Sequence, residues 1–322
     1  MTTNIRITKN TVWGFLIIGL TTVLIVIGIS LITRQVIHDP NDIQRDAVID
    51  GIKANTAKLK CAVITWSSDV SYFGAMAARI GPEKSYQIGN GTHQLWWNNK
   101  KIAVSWNNKT TVKDPNGQVS SKQEKTFVTY DGKTFRTAVM PTGLTGNIEV
   151  VISKEPPNRF LENNYLQTVG WQGRSGFNNV SKATEPGMER WQTEEDKMLK
   201  RTFHNTRTGQ IGIWTYDIEK NYVLVASEYY EKENTIQSKT TIQYKQFSGG
   251  VWFPVSVVTE SFNIQNGELI YRSRMDVDIN KSVFNDPSAI PDEVFELEIG
   301  PNNKVKDLTS LKTRLKRFLN DF

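Results

Sequence analysis

The stretch TTIQYKQFSGGVWFPVSVVTESFNIQNGELIYRSRMDVDI, residues 240–279, decides the fold. It reads as three strands, Thr240 to Phe247, Val251 to Asn263 and Leu269 to Ile279, separated by Ser248-Gly249-Gly250 and by a turn containing Asn266-Gly267. Within each strand, β-branched and aromatic residues alternate with polar ones at period two, as a half-buried strand requires. Asn-Gly supplies the positive φ that a tight reversal needs. Strands joined by such short turns pair with their chain neighbours, so this region predicts an antiparallel meander.

The same pattern extends upstream. Lys197 to Thr206, Ile211 to Ile218 and Tyr222 to Tyr230 are strand candidates, and Val294 to Ile299 adds one downstream. In the first half, Ala62, Ile64 and Trp66 alternate with Val63, Thr65 and Ser67. His93 to Trp97, Lys101 to Trp106 and Ile148 to Ile152 also read as strands. Lys125 to Tyr130 and Thr134 to Val139 flank Asp131-Gly132-Lys133, which predicts a tight hairpin. The polar segment Asn107 to Gln123, with Pro115-Asn116-Gly117, predicts a long hairpin loop. Helical spacing appears over 42–59, where Ile43, Ala47, Val48 and Ile52 share a side, and over Arg159 to Val169. Few helices beside many neighbouring strands predict an α+β fold, a large curved antiparallel sheet covered on one side. A two-sheet sandwich is the alternative.

Residues Val12 to Thr33 carry no charge and are bracketed by Lys9 and Arg34. A helix of that length spans roughly 33 Å, the hydrocarbon thickness of a bilayer. A removable signal has an apolar core of about 7 to 15 residues and a small-residue cleavage site, and only Gly28-Ile29-Ser30 weakly offers one. The expectation is therefore a transmembrane signal anchor over 12–33 behind a cytoplasmic tail, 1–11. Arg6, Lys9 and the terminal amine precede the span, while Asp39, Asp42, Asp46 and Asp50 follow it. This places the N-terminus inside and the bulk in the periplasm or extracytoplasmic space of a bacterial inner membrane.

Cys61 is the only cysteine, so the sequence allows no internal disulfide and no thiolate metal cluster. Discounting Arg6 and Lys9, the formal charge of +6 falls to a surplus of four, a mixed surface that names no partner.

Four strings resemble one family. They are Trp97 to Trp106, Tyr130-Asp131-Gly132-Lys133-Thr134, Gly250-Val251-Trp252-Phe253-Pro254, and Val294 through Gly300-Pro301-Asn302-Asn303 to Asp307. Together they look like the LolA-like outer-membrane lipoprotein-sorting proteins. The resemblance covers most of residues 40–308 and rests on turns and strand ends. It implies an unclosed β-barrel over 34–308 whose concave apolar face is plugged by helices and holds a lipid acyl chain or lipoprotein. The chain is larger than the family's soluble shuttle, and a tethered protein cannot cross a compartment with its cargo. The expected function is thus a membrane-anchored binding protein. Lining candidates are Trp66, Trp97, Trp106, Phe127, Phe135, Trp214 and Phe253. A scaffold or regulatory component of an envelope complex is the alternative.

Catalytic signals are sparse. His38, His93 and His204 are widely spaced and lack a partner at metal-ligand spacing. Asp276 and Asp278 share a strand face, as an acid–base pair would, yet alternation equally puts them in solvent. Glu194, Glu195 and Asp196 read as a loop. Gly170 to Gly176 lacks dinucleotide spacing, and Trp96 to Lys101, though basic and aromatic, is a poor nucleic-acid groove at an extracytoplasmic address. No catalytic residue, metal or cofactor is assigned. Over 309–322 an amphipathic basic helix is expected, with Leu311, Leu315, Phe318, Leu319 and Phe322 on one side, docked on the sheet or turned to a membrane or partner.

Overall fold

A computed structural model describes residues 40–74, 86–98, 101–113, 118–141, 148–155, 189–194, 197–205, 207–231, 235–297, 299 and 303–309. By contacts the chain divides after Ile43 into two units, and the sheet belongs to the second. The expected span 12–33, the helix over 159–169 and the basic C-terminal helix lie outside the described residues. Among the described residues no helix is long and apolar enough to cross a membrane.

Helix α1 (Pro40–Ala57) is followed by six strands: β1 (Ala62–Tyr72), β2 (Tyr86–Trp97), β3 (Ile102–Lys113), β4 (Val119–Tyr130), β5 (Phe135–Pro141) and β6 (Glu149–Ser153). Seven more are β7 (Glu189–Thr193), β8 (Met198–His204), β9 (Ile211–Asp217), β10 (Val223–Tyr230), β11 (Ile236–Phe247), β12 (Val251–Phe262) and β13 (Leu269–Val277). The short β14 (Val283–Phe284) and β15 (Lys304–Asp307) complete the set. All fifteen form one sheet, in the order β15-β6-β5-β4-β3-β2-β1-β13-β12-β11-β10-β9-β8-β7, with β14 beside β1. It is a single sheet and not a sandwich, and along this order its two end strands do not pair with each other.

The expected neighbour-to-neighbour pairing holds within each half. It breaks where β13 pairs with β1, from Trp66 opposite Val277 to Tyr72 opposite Tyr271, and where β15 runs parallel to β6. The two meanders are therefore welded in the middle of the sheet.

Two local expectations fail. Most of the polar segment 107–123 is strand, because β3 and β4 stay paired from Ile102 opposite Tyr130 out to Lys113 opposite Val119, while Pro115-Asn116-Gly117 lies outside the described residues. A hairpin solvated on both faces needs no apolar alternation, and its threonines and valines suit extended backbone. The described residues of the stretch 294–299 are not a strand. Asp292–Phe295 forms a 3-10 turn after Pro291 that packs on β3 and β4 and buries Phe295. Asp131 builds the predicted hairpin: its carboxylate accepts from the Lys133 and Thr134 backbone N–H groups, each at 2.9 Å, while Gly132 takes φ 97°.

Helix α1 buries Val48 completely against Trp191, Leu199, Trp214 and Tyr216, with Ile49 and Ile52 at the margin. Its C-terminal end is pinned by Asn55, whose amide donates to the Trp252 carbonyl at 2.8 Å and accepts from the Trp252 N–H at 2.9 Å. The side chain thus copies the two-way pairing of a neighbouring strand. Asn55 is 2 % exposed, so removing its amide strands both backbone groups. We expect Asn55→Leu to lower unfolding free energy by about 3 kcal/mol in urea titration. A loss below about 1 kcal/mol contradicts this pin.

Candidate functional site

In an antiparallel sheet, directly paired residues share a face, so register decides what points inward. One row runs Ala62, Trp97, Ile102, Tyr130, Phe135, and another runs Val277, Trp66, His93, Trp106, Thr126. These rows, together with Phe253 and Val251, form one buried cluster. Trp214 belongs to the second cluster, and its row continues through Ser227, Thr240, Thr259 and Ser273 to Val70, on the parity of Trp66. Both clusters therefore lie on the same face, hereafter the inner face, which α1 covers at the β7–β10 side.

Six of the seven lining candidates, Trp66, Trp97, Trp106, Phe135, Trp214 and Phe253, are on the inner face. Five are buried, and Trp97 is partly exposed and, like Tyr130, Phe247, Val255 and Met275, packs against the first cluster. Phe127 corrects the expectation. It pairs with Ser105 and Ala138 on the opposite face and meets Trp96 edge-on, 6.4 Å between ring centroids. The cause is alternation, since neighbouring Val128 points inward opposite Val104.

Sequence reasoning missed an ionic knot in the second cluster. Arg201 donates from Nε to Glu189 Oε1 at 2.8 Å, Arg45 donates from Nη2 to Glu189 Oε2 at 3.0 Å, and Trp191 donates from Nε1 to Oε1 at 2.6 Å. The Arg201 guanidinium also lies over the rings of Trp191, Phe203 and Trp214, at 5.6, 5.1 and 5.2 Å. Side-chain exposure of 2 % for Arg201 and 3 % for Glu189 shuts the knot off from solvent. Around it, burial pushes the phenols of Tyr216 and Tyr229 above their ordinary range. One signal was present in the sequence: Leu199, Arg201 and Phe203 share a parity, which puts a cation among inward residues.

His93 is the other buried polar group of this face. Its ring lies 5.1 Å from Trp66, and Nε2 is hydrogen-bonded to Ser68 Oγ at 2.6 Å. Nδ1 is buried without a protein partner. Gly91 makes room for the ring, because a Cβ there would sit 2.5 Å from His93 Cε1 and 2.7 Å from the Asn107 carbonyl oxygen. Burial drives the His93 pKa down to about 4, so the imidazole is neutral at pH 7. His204 is exposed, and His38 lies outside the described residues.

Asp276 and Asp278 do not form a pair. The strand ends at Val277, Asp278 caps the turn Ile279–Lys281, and Lys281 holds its carboxyl below the ordinary range. Burial works to raise the Asp276 pKa, but hydrogen bonds from Arg274 at 2.6 Å and Ser256 at 2.7 Å outweigh it and leave that carboxyl low as well. Neither is tuned as a general acid at neutral pH.

No family model matches this chain, and no curated protein does. Solved structures similar to it include a DUF1329 family protein from Desulfovibrio piger, at 9 % identity and TM-score 0.40, covering 80 % of this chain and 98 % of that one. A LolA superfamily protein from Nitrosomonas europaea shows 10 % identity and TM-score 0.35, covering 78 % and 97 %. A β-barrel-like DUF1849 protein from Brucella abortus shows 10 % identity and TM-score 0.30, covering 71 % and 99 %.

Two predictions follow from the buried polar groups. Between pH 6.5 and about 4 the unfolded chain takes up a proton on His93 that the folded chain refuses, so stability falls as pH falls through that window. The full loss is about 3 kcal/mol. Urea midpoints measured from pH 7 to 4.5 should drop less steeply in His93→Gln, and equal slopes would refute the assignment. Glu189→Leu leaves two guanidinium groups without their carboxylate and should cost about 3 to 5 kcal/mol. The double variant Glu189→Leu/Arg201→Met should recover much of that loss, whereas additive losses would contradict the coupling.

Proposed function

We propose that this chain is a membrane-anchored, extracytoplasmic binding protein that holds a lipid acyl chain, free or as part of a lipoprotein, against the inner face of its open sheet. The observation that carries the reading is the register placing Trp66, Trp97, Trp106, Phe135, Trp214 and Phe253 on one face of an unclosed sheet, part of which α1 covers. Apolar clusters of that size favour apolar ligands, with each methylene moved out of water contributing roughly 0.8 kcal/mol. The partly exposed residues Trp97, Tyr130, Val255 and Met275, each packed against the first cluster, are the surface we assign to the chain. Anchoring rests on the uncharged run Val12 to Thr33, with the N-terminus inside the inner membrane of a bacterium.

The second reading, a non-catalytic scaffold of an envelope complex, is favoured by the tight filling at Trp66, Trp106 and Phe253, which are 1 %, 3 % and 0 % exposed. Native mass spectrometry of residues 34–322, with fluorescent fatty-acid titration, separates the two. We expect a co-purifying or added acyl lipid to remain bound, and Trp97→Asp to weaken fatty-acid uptake about tenfold or more, because a carboxylate is costly on an apolar wall. A fragment that carries no lipid and takes up no fatty acid leaves the scaffold reading.

A further inference from the structure

Along its strands the inner face is layered. The row nearest the first cluster is apolar, with Ile242, Val257 and Met275 paired across β11, β12 and β13. One step toward the hairpin ends, the row becomes Ser227, Thr240, Thr259 and Ser273, a hydroxyl on each of four adjacent strands. Thr240 and Thr259 are hydrogen-bonded to each other through their hydroxyls at 3.1 Å. The next row is Tyr229, Ser238, Ser261 and Tyr271, again uncharged and hydroxylated.

The opposite face of the same strands is ionic at this level. Glu228, Lys239, Glu260 and Arg272 occupy the intervening positions, with Lys239 paired to Glu228 and Arg272 to Glu260 at 2.7 Å. Charge is thus sorted outward and hydroxyl inward, strand by strand.

Ser273 in this band is buried, and elsewhere on the inner face His93 Nδ1, beside Ser68, is buried without a protein hydrogen-bond partner. Buried polar atoms left open in this way mark places where a water or ligand completes the bonding. The cations nearest in kind, Arg201 and Arg45, are engaged by Glu189, and Arg201 lies sealed under three rings, so no anion reaches it.

We infer that the band Ser227, Thr240, Thr259 and Ser273 receives the uncharged, hydrogen-bonding head of a bound amphiphile, a glyceride-type ester or hydroxyl, while its acyl chain lies over the apolar row. This rests on the acyl-chain reading above and narrows it to one class of head group. Hydroxyls donate to and accept from an ester or alcohol equally well. An ionised carboxylate or phosphate brought onto the same band would lose its hydration with no cation in this row of β10–β13 or in the rows on either side to replace it. A neutral His93 agrees with an uncharged surround.

The test uses the full chain in a non-lipid detergent at pH 8, reading quenching of tryptophan fluorescence by lipids brominated on the acyl chain. Brominated diacylglycerol should quench at a concentration at least about tenfold lower than brominated phosphatidylglycerol or brominated oleate, since one or two hydrogen bonds are worth about that factor. The triple variant Thr240→Val/Thr259→Val/Ser273→Ala should lose the preference while still binding oleate. The outer-face variant Lys239→Gln/Arg272→Gln should keep it. Equal or tighter binding of the anionic lipids by the native chain overturns this inference and leaves the acyl-chain reading standing. Quenching by none of the three overturns both.

Discussion

The pairing of β1 with β13 is the constraint on which the rest of this structure depends. Each half of the sheet is a meander that its own turns can build, but neither says which face the other half presents. Seven consecutive pairs, from Trp66 opposite Val277 to Tyr72 opposite Tyr271, fix that relation and bring two apolar clusters onto one face. A slip of one residue here would turn one cluster toward solvent while the other stayed inward. Burial of both clusters on one face is therefore what specifies the register.

Polar groups inside that face follow from the same economy of space. Arg201 sits on an inward parity and cannot leave without unpairing β8, so Glu189, Arg45 and three aromatic rings accommodate its charge. His93 solves the problem differently, by staying neutral. Both arrangements keep net charge away from the surface where an apolar chain would lie, and the paired ions on the far side of β10–β13 keep the outer face wet. The inner face thus combines an apolar floor with uncharged hydroxyls, a surface suited to amphiphiles and poorly suited to ions.

Strand identity was legible in the sequence wherever one face was buried and the other solvated, as over 197–279, because alternation and turn residues then agree. It was illegible where both faces are wet. The β3–β4 hairpin beyond Trp106 has no apolar parity to betray it, and only cross-strand pairing holds it extended. Phe127 was misplaced for a related reason: large aromatics occur on both faces near β4, and only Val128 opposite Val104 reveals the parity. The long-range contact of β1 with β13 leaves no local mark. Arg201 did leave one, a cation between Leu199 and Phe203, and it pointed to a buried ion knot, not to a catalytic group.

The central claim is that an acyl chain lies on the inner face at the margin of the first cluster. A crystal structure of the chain grown with a brominated fatty acid, with anomalous bromine peaks located, tests it most directly. The account predicts peaks on the inner face along the first cluster, from Met275 and Val255 toward Trp97 and Tyr130. Peaks confined to the outer face beside Glu260 and Arg272, or none in crystals soaked to saturation, would contradict it.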